Sequence, residues 1–186
     1  MSGQVILVDT NDIATGAMPK LDAHTEGLLH RAFSIFIFNS KGEMLLQQRA
    51  FEKYHSGGLW SNACCSHPQP GETTMMAADR RLMEEMGINT QLEHIFEFIY
   101  QVNFDNGLTE HEYDHVFFGV SDEAPVINRE EAHSWKYVAL PHLLQSVQNQ
   151  PTLYTEWFKI ALDKVLEKIK SKELSYPATQ SVNIAK

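Results

Sequence analysis

The chain has 186 residues and a formal charge of −9, with 43% hydrophobic and 21% charged residues, the make-up of one ordinary globular domain with a real core. That charge argues against an extended phosphate-binding face, so no nucleic-acid partner is expected, and any anion site must be a local cluster of Lys and Arg. No run reaches the roughly 18 apolar residues of a membrane span, and Met1-Ser2-Gly3-Gln4 lacks the basic and apolar regions of a secretory signal. No membrane association and a cytoplasmic location are therefore expected.

In chain order, Gln4 to Val8 and Ala32 to Phe38 read as strands, and Asn39-Ser40-Lys41-Gly42 is a turn leading into a strand at Met44 to Gln48, a hairpin. After the Gly-rich loop Ser56-Gly57-Gly58, Leu59 to Cys65 reads as another short strand. Pro68 to Gly71 breaks it before a helix from about Thr73 to Met86, which Gly87 stops. Strands recur at Leu92 to Val102, Glu112 to Val120 and Trp135 to Val138, separated by turn signals at Asp105-Asn106-Gly107 and Glu123-Ala124-Pro125. Leu153, Trp157, Ala161, Val165 and Ile169 then recur at helical spacing, with Lys159, Asp163, Lys164 and Lys168 off the stripe, predicting a long amphipathic C-terminal helix. One domain is expected over residues 1–172, with residues 173–186 a polar tail whose composition does not demand order.

Two short runs carry chemistry. In an extended strand residues i and i+2 point the same way, so Cys65 sits beside His67, and Glu110 beside Glu112. The only cysteines, Cys64 and Cys65, are neighbours that cannot staple a fold, and a reducing compartment keeps both as thiols. Reactivity is therefore the question for Cys65, while Cys64 points to the opposite face as an inert thiol.

The helix after Gly71 carries Glu72, Arg80, Leu82, Glu84, Glu85, Gly87 and Ile88, nearly the spacing G-x5-E-x7-R-E-U-x-E-E-x-G-U, with U aliphatic. This resembles the Nudix box, in which helix carboxylates gather divalent metals around a diphosphate. Ser66 stands where the first Gly belongs, and Arg81 replaces the Glu after the Arg. A carboxylate that would hold a hydrolytic metal has become a guanidinium suited to a phosphate, four residues from Glu85 on one helical face. With Cys65-Ser66-His67-Pro68, Glu110-His111-Glu112 and Leu29-His30-Arg31-Ala32-Phe33, the pattern from about Lys20 to Ile169 resembles the type 1 isopentenyl diphosphate isomerases, Nudix-fold enzymes without Nudix chemistry.

The resemblance implies an α/β Nudix-like fold, a mixed sheet flanked by helices, and the interconversion of isopentenyl and dimethylallyl diphosphate in isoprenoid biosynthesis. Cys65 and Glu112 match the family's opposed acid/base groups, Tyr100 a phenol able to hydrogen-bond Glu112, and Trp157 an indole facing the carbocation. A desolvated cation over a Trp face gains roughly 2 kcal/mol or more. His24, His30, His67, Glu110 and Glu112 match a ligand set for one tightly bound divalent metal, Mn or Mg, with Zn possible through the imidazoles. Lys20, Arg49, Lys53 and Arg81 match the diphosphate-binding cations, and Glu85 a ligand of a second Mg arriving with the substrate. The implied partner is thus a small allylic or homoallylic diphosphate, and the implied assembly a monomer. His55, His94, His111, His115, His133 and His142 are read as bystanders. A Nudix hydrolase predicts Glu where Arg81 stands and leaves Cys65 idle. A Cys/His nucleophilic enzyme lacks a third orienting group, and a noncatalytic metal-binding module would tolerate loss of Cys65.

Overall fold

All but one of the nine residues of β3 (His30–Phe38) are buried, the mark of a strand covered on both faces. The computed structural model describes residues 3–171. β3 runs parallel to β8 (Thr109–Val120) along its whole length, from His30 opposite Glu112 to Phe38 opposite Val120. The other edge of β3 is shared by three strands in turn. β1 (Gln4–Val8) meets it at His30, β6 (Cys64–Ser66) at Phe33 to Ile35, and β4 (Glu43–Arg49) at Phe38. β7 (Leu92–Asn103) extends the sheet beyond β8, while β2 (Ala14–Pro19) lies on β1, and both β5 (Trp60–Ser61) and β9 (Ala132–Ala139) lie on β4.

Strand alternation sorts β3 between two layers. Phe33, Ile35 and Ile37 pack with Cys64 and Phe117 under Ala77, Ala78, Leu82 and Met86 of α2 (Thr74–Met86). Phe36 and Phe38 pack with Val116 and Phe118 under Trp157, Phe158, Ala161 and Val165 of α4 (Glu156–Lys170). Cys65 borders this second layer, so the two cysteines do face opposite ways. Thr73 caps α2, its Oγ1 accepting the Met76 N–H at 3.2 Å. Gly87 ends that helix at φ 66°, in the left-handed region that suits glycine.

Several elements depart from expectation. Leu59 to Cys65 is two strands, not one, because Asn62 turns inward and donates from Nδ2 to the carbonyls of Ile35 and Cys64, carrying the chain from the edge of β4 to the edge of β3. The predicted hairpin closes only at Phe38 and Met44, after which its arms part toward different partners. β2 is almost wholly exposed, so it carries no alternation to read, and α1 (Lys20–Glu26) has seven residues, too few for a helical period. A third helix, α3 (Leu140–Asn149), follows β9 and buries only Leu140 and Leu143. Leu153 lies in a 3-10 turn, exposed, and the long helix starts at Glu156. No described helix is long and apolar enough to cross a membrane. The expected tail at 173–186 falls outside the described residues.

Candidate active site

Register alone assembles the acidic half of the site. His30 is opposite Glu112, and Glu112 is opposite Tyr100, so three side chains from β3, β8 and β7 share one row on the α4 side of the sheet. Glu110, two residues back along β8, joins that face. The Tyr100 hydroxyl lies 2.6 Å from Glu112 Oε2 and 3.2 Å from Glu110 Oε2, and a phenol has one hydrogen, which the shorter contact takes. Burial, then the neighbouring charge of Glu112, pushes the Glu110 carboxyl well above the usual range. Burial would do the same to Glu112, but the facing imidazoles of His30 and His67 outweigh it and hold that carboxyl well below.

The imidazoles are set by the backbone. His24, on α1, donates from Nδ1 to the Lys20 carbonyl at 2.8 Å, and His30 donates from Nδ1 to Leu28 at 2.8 Å. Each Nδ1–H is thus fixed, which leaves the lone pair on Nε2; both Nε2 atoms are buried without a hydrogen-bond partner. His67 Nε2 lies 2.9 Å from Glu112 Oε1, and His30 Nε2 lies 3.6 Å from the same oxygen. One ligand atom from each of His24, His30, His67 and Glu112 falls within 4.8 Å of all the others. Burial, then the charge of Lys20, holds His24 down to about 4 and His67 to about 3, so both are neutral at pH 7 as ligands must be. Orphaned lone pairs converging on a carboxylate fit a divalent cation.

Glu110 belongs geometrically to a second group, with His24 and His55, whose ligand atoms also lie within 4.8 Å of one another. His55, expected to be a bystander, thus lies beside Glu110. It is buried, its Nε2 is 3.4 Å from Glu110 Oε1, it stacks on Phe104, and it meets the Trp157 ring edge-on at 5.8 Å. The other supposed bystanders lie elsewhere: His111 bonds the Gly27 carbonyl, His115 pairs with Asp12, His94 with Glu97, His133 contacts Phe51, and His142 is exposed.

Across β3 sits the thiol. Cys65 is opposite Ser34, with its Sγ 3.5 Å from Ser34 Oγ and 3.0 Å from Asn62 Oδ1. Ser34 in turn bonds the buried Asp114 carboxyl at 2.8 Å. Burial, then the charge of Asp114, pushes the Cys65 thiol up to about 12. Cys65 and Trp60 border the apolar cluster that contains Tyr100 and Trp157. Trp157 is 3% exposed and donates Nε1–H to Ser61 at 2.9 Å.

The predicted cations divide. Lys20 and Arg81 line one cavity of about 380 Å³ together with Ser66, His67, Arg80 and Glu131, so the cavity opens beside the imidazole group. Lys53 pairs with Glu131 at its wall. Arg49 is placed differently: its guanidinium lies over the Trp157 ring, 5.1 Å from the centroid. Arg81 bonds Glu85 at 2.6 Å and Glu84 at 2.8 Å, and lies 3.1 Å from Glu131. Glu85 therefore sits in the α2 layer, also held by Gln47 at 3.1 Å, and belongs to neither imidazole group. Arg80 grips Glu72 and Glu84, so two further box carboxylates are engaged in ion pairs.

A branched mixed sheet whose box helix carries paired acids and bases defines a Nudix protein, and the NUDIX domain family matches residues 28–158. Two solved structures overlay on it: DR0079 of Deinococcus radiodurans at TM-score 0.70 and 18% identity, covering 84% of this chain and 96% of that one, and a MutT protein of Methanosarcina mazei at 0.61 and 21%, covering 76% and 96%. These share the fold. Within it the chain belongs to the isopentenyl-diphosphate Delta-isomerase family. The isopentenyl-diphosphate Delta-isomerase of Pectobacterium atrosepticum is 51% identical over 162 residues, spanning 87% of this chain and 90% of the relative. An isopentenyl-diphosphate Delta-isomerase of Aromatoleum aromaticum is 52% identical over 166 residues, spanning 89% and 88%.

Proposed function

We propose that this chain interconverts isopentenyl and dimethylallyl diphosphate, with Cys65 and Glu112 as its acid/base pair. The observation that carries this is the placement of a thiol and a carboxylate on strands flanking β3 at opposite edges, around one apolar cluster that contains Tyr100 and Trp157. The reaction adds a proton at one end of a three-carbon unit and removes one from the other, through a tertiary carbocation that water would capture. An apolar wall and two proton-carrying groups meet that demand. Because the reaction is reversible, the two groups exchange roles with direction and are assigned jointly. Tyr100 orients the Glu112 carboxyl and shares its proton. Trp157, buried in that apolar cluster, offers the cation its indole ring.

His24, His30, His67, Glu110 and Glu112 are the residues that would hold a divalent ion, Mn or Mg with Zn the alternative suited to imidazoles; when bound it would supply positive charge that fixes Glu112 and alters its proton affinity. Lys20, Arg81 and Lys53 bring cationic groups to a cavity beside His67, as a diphosphate requires, and Arg49 completes the cationic side next to Trp157. A magnesium ion carried in by the diphosphate would find Glu85 on the Arg81 side. Gripping the head group there places the short hydrocarbon tail, which offers nothing polar to hold. Two reduced thiols suit a cytoplasmic enzyme, and we take it to act as a monomer.

The test is incubation of metal-loaded protein with isopentenyl diphosphate in deuterated water. Label should enter both isomers. Release of phosphate without labelled isomer would instead mark a hydrolase.

A further inference from the structure

Between β5 and β6 lies a buried polar chain that the acid/base assignment leaves unused. Ser61 is 3% exposed and Asn62 1%. Asn62 Nδ2 carries two hydrogens, and two backbone carbonyls receive them: Ile35 at 3.1 Å and Cys64 at 3.0 Å. That fixes the amide's orientation, so its oxygen faces the Ser61 hydroxyl at 3.0 Å and the Cys65 sulfur at 3.0 Å. An amide oxygen only accepts, so both the O–H and the S–H point to it. Ser61 has then spent its single hydrogen, and its oxygen is left to accept, from the Trp157 indole N–H at 2.9 Å and the Thr155 hydroxyl at 3.1 Å. The hydrogens from indole to amide are thus assigned, and of the two acceptors near the sulfur, Asn62 Oδ1 at 3.0 Å and Ser34 Oγ at 3.5 Å, the nearer takes the thiol hydrogen.

A second observation marks this chain as more than local packing. Thr155 stands at the N-cap of α4 but makes no side-chain cap; its hydroxyl goes to Ser61 instead. The stabilising cap that a Thr can supply there is given up for this bond. The backbone repeats the link, with the Thr155 N–H donating to the Trp60 carbonyl at 3.0 Å. The start of α4, and with it Trp157, is therefore docked onto Trp60 and Ser61, at the head of the same short stretch that ends at Cys65.

We propose that Ser61 and Asn62 are positioning residues of the isomerase site, joining the Trp157 indole to the Cys65 thiol through one hydrogen-bonded chain that sets their mutual distance and rotation. Packing in the apolar cluster restricts the Cys65 and Trp157 side chains, and this chain adds a directional hold to each. It holds the sulfur hydrogen in one direction and the indole plane in one attitude, so that a cation formed beside the sulfur arises over the ring. The inference rests on the isomerase reading above for its kinetic consequence, but not for its spectroscopic one.

The experiment uses the metal-loaded full chain with Ser61→Ala and Asn62→Ala, read three ways. In the infrared, Asn62→Ala should shift one of the two S–H stretching bands to higher frequency, the band that Cys65→Ser removes, and leave the Cys64 band in place. In ¹⁵N NMR, Ser61→Ala should shift the Trp157 indole N–H resonance and speed its exchange. In turnover, each variant should lose about 10²-fold in kcat, the scale of a 1 Å misplacement. KM for isopentenyl diphosphate should change by less than about twofold, because the head group is held elsewhere, and the double variant should fall little further than either single one. A Cys65 band unmoved by Asn62→Ala overturns the proposal, as does full kcat in a folded variant whose bands have moved. Should Asn62→Ala not fold, Ser61→Ala alone decides through its indole resonance and its kcat. A wild-type protein that exchanges no deuterium would defeat the isomerase reading, while the S–H band and the indole signal would still judge the chain.

Discussion

Cys65→Ser keeps a small polar side chain where the thiol was but removes the sulfur from the site. If the sulfur carries a proton in the reaction, isomer exchange should fall by about 10²- to 10⁴-fold, the range typical of a lost acid/base group, with an unchanged circular dichroism spectrum. Undiminished exchange would remove Cys65 from the chemistry. Tyr100→Phe deletes the hydrogen bond to Glu112 at 2.6 Å and leaves that buried carboxylate short of a donor. It should cost about 1–3 kcal/mol in urea unfolding and slow turnover as well. Cys65 and Glu112 were legible in the sequence because a two-residue period is a local signal, Cys65 with His67 and Glu110 with Glu112 announcing a strand face without knowledge of its partners, whereas Tyr100 was reached only through the family resemblance. The same period, followed one step further, reaches Asp114, which the structure buries against Ser34 and which sequence reading passed over. His55 had no such signal. It sits in an irregular loop after β4, and only the closure of that loop brings it to Glu110. Ser61 and Asn62 were hidden for a related reason, since their stretch reads as plain strand until Asn62 is seen to turn inward.

Helix α2 was readable from end to end, because its signals are punctuation: Thr73 at the start, Gly87 at the stop. A Cβ at Gly87 would come within 2.9 Å of the Val126 carbonyl oxygen, and φ there is 66°. Gly87→Ala should therefore destabilise by more than the roughly 1–2 kcal/mol of a left-handed L-residue, visible as a lowered melting temperature. Of the elements that escaped notice, β2 is exposed and α1 short, and such elements carry too little hydrophobic periodicity to read; α3 did carry a helical stripe, Leu140, Leu143, Leu144 and Val147, which the sequence reading passed over. Contacts between elements were less legible still. Glu131, just before β9, joins Lys53 from the loop after β4 to Arg81 on α2. Burial alone would raise its carboxyl, but Lys53 and then Arg81 hold it below its ordinary value of 4.5. A depressed carboxyl stabilises the fold above the ordinary range and loses that contribution as pH falls through its folded value. Wild type should thus unfold at higher urea than Glu131→Gln at neutral pH, and the gap should close in acid; a gap independent of pH would mean that the charge contributes nothing.

At the scale of the whole molecule, the converging lone pairs of His24 and His30 make stability depend on what fills the space between them. A ligand that binds only the folded chain adds about 2.7 kcal/mol at a hundred times its Kd. The melting temperature should therefore drop on treatment with a chelator and climb again with added Mn²⁺ or Zn²⁺ in proportion to the logarithm of concentration. A melting curve indifferent to both would leave the imidazole group without a cation to hold.

The parallel seam between β3 and β8 has a further cost in time. Ser34 and Asp114 touch across it from positions 80 residues apart, and the row of His30 and Glu112 is drawn from the same pairing. On a growing chain β3 leaves the ribosome long before its neighbour exists, with the apolar run Ile35 to Phe38 waiting uncovered. Distant parallel pairings are intrinsically slow to form. The row of His30, Glu112 and Tyr100 must then be among the last parts of this protein to come into being, so a nascent chain cut short anywhere before Thr109 would lack Glu110 and Glu112 altogether.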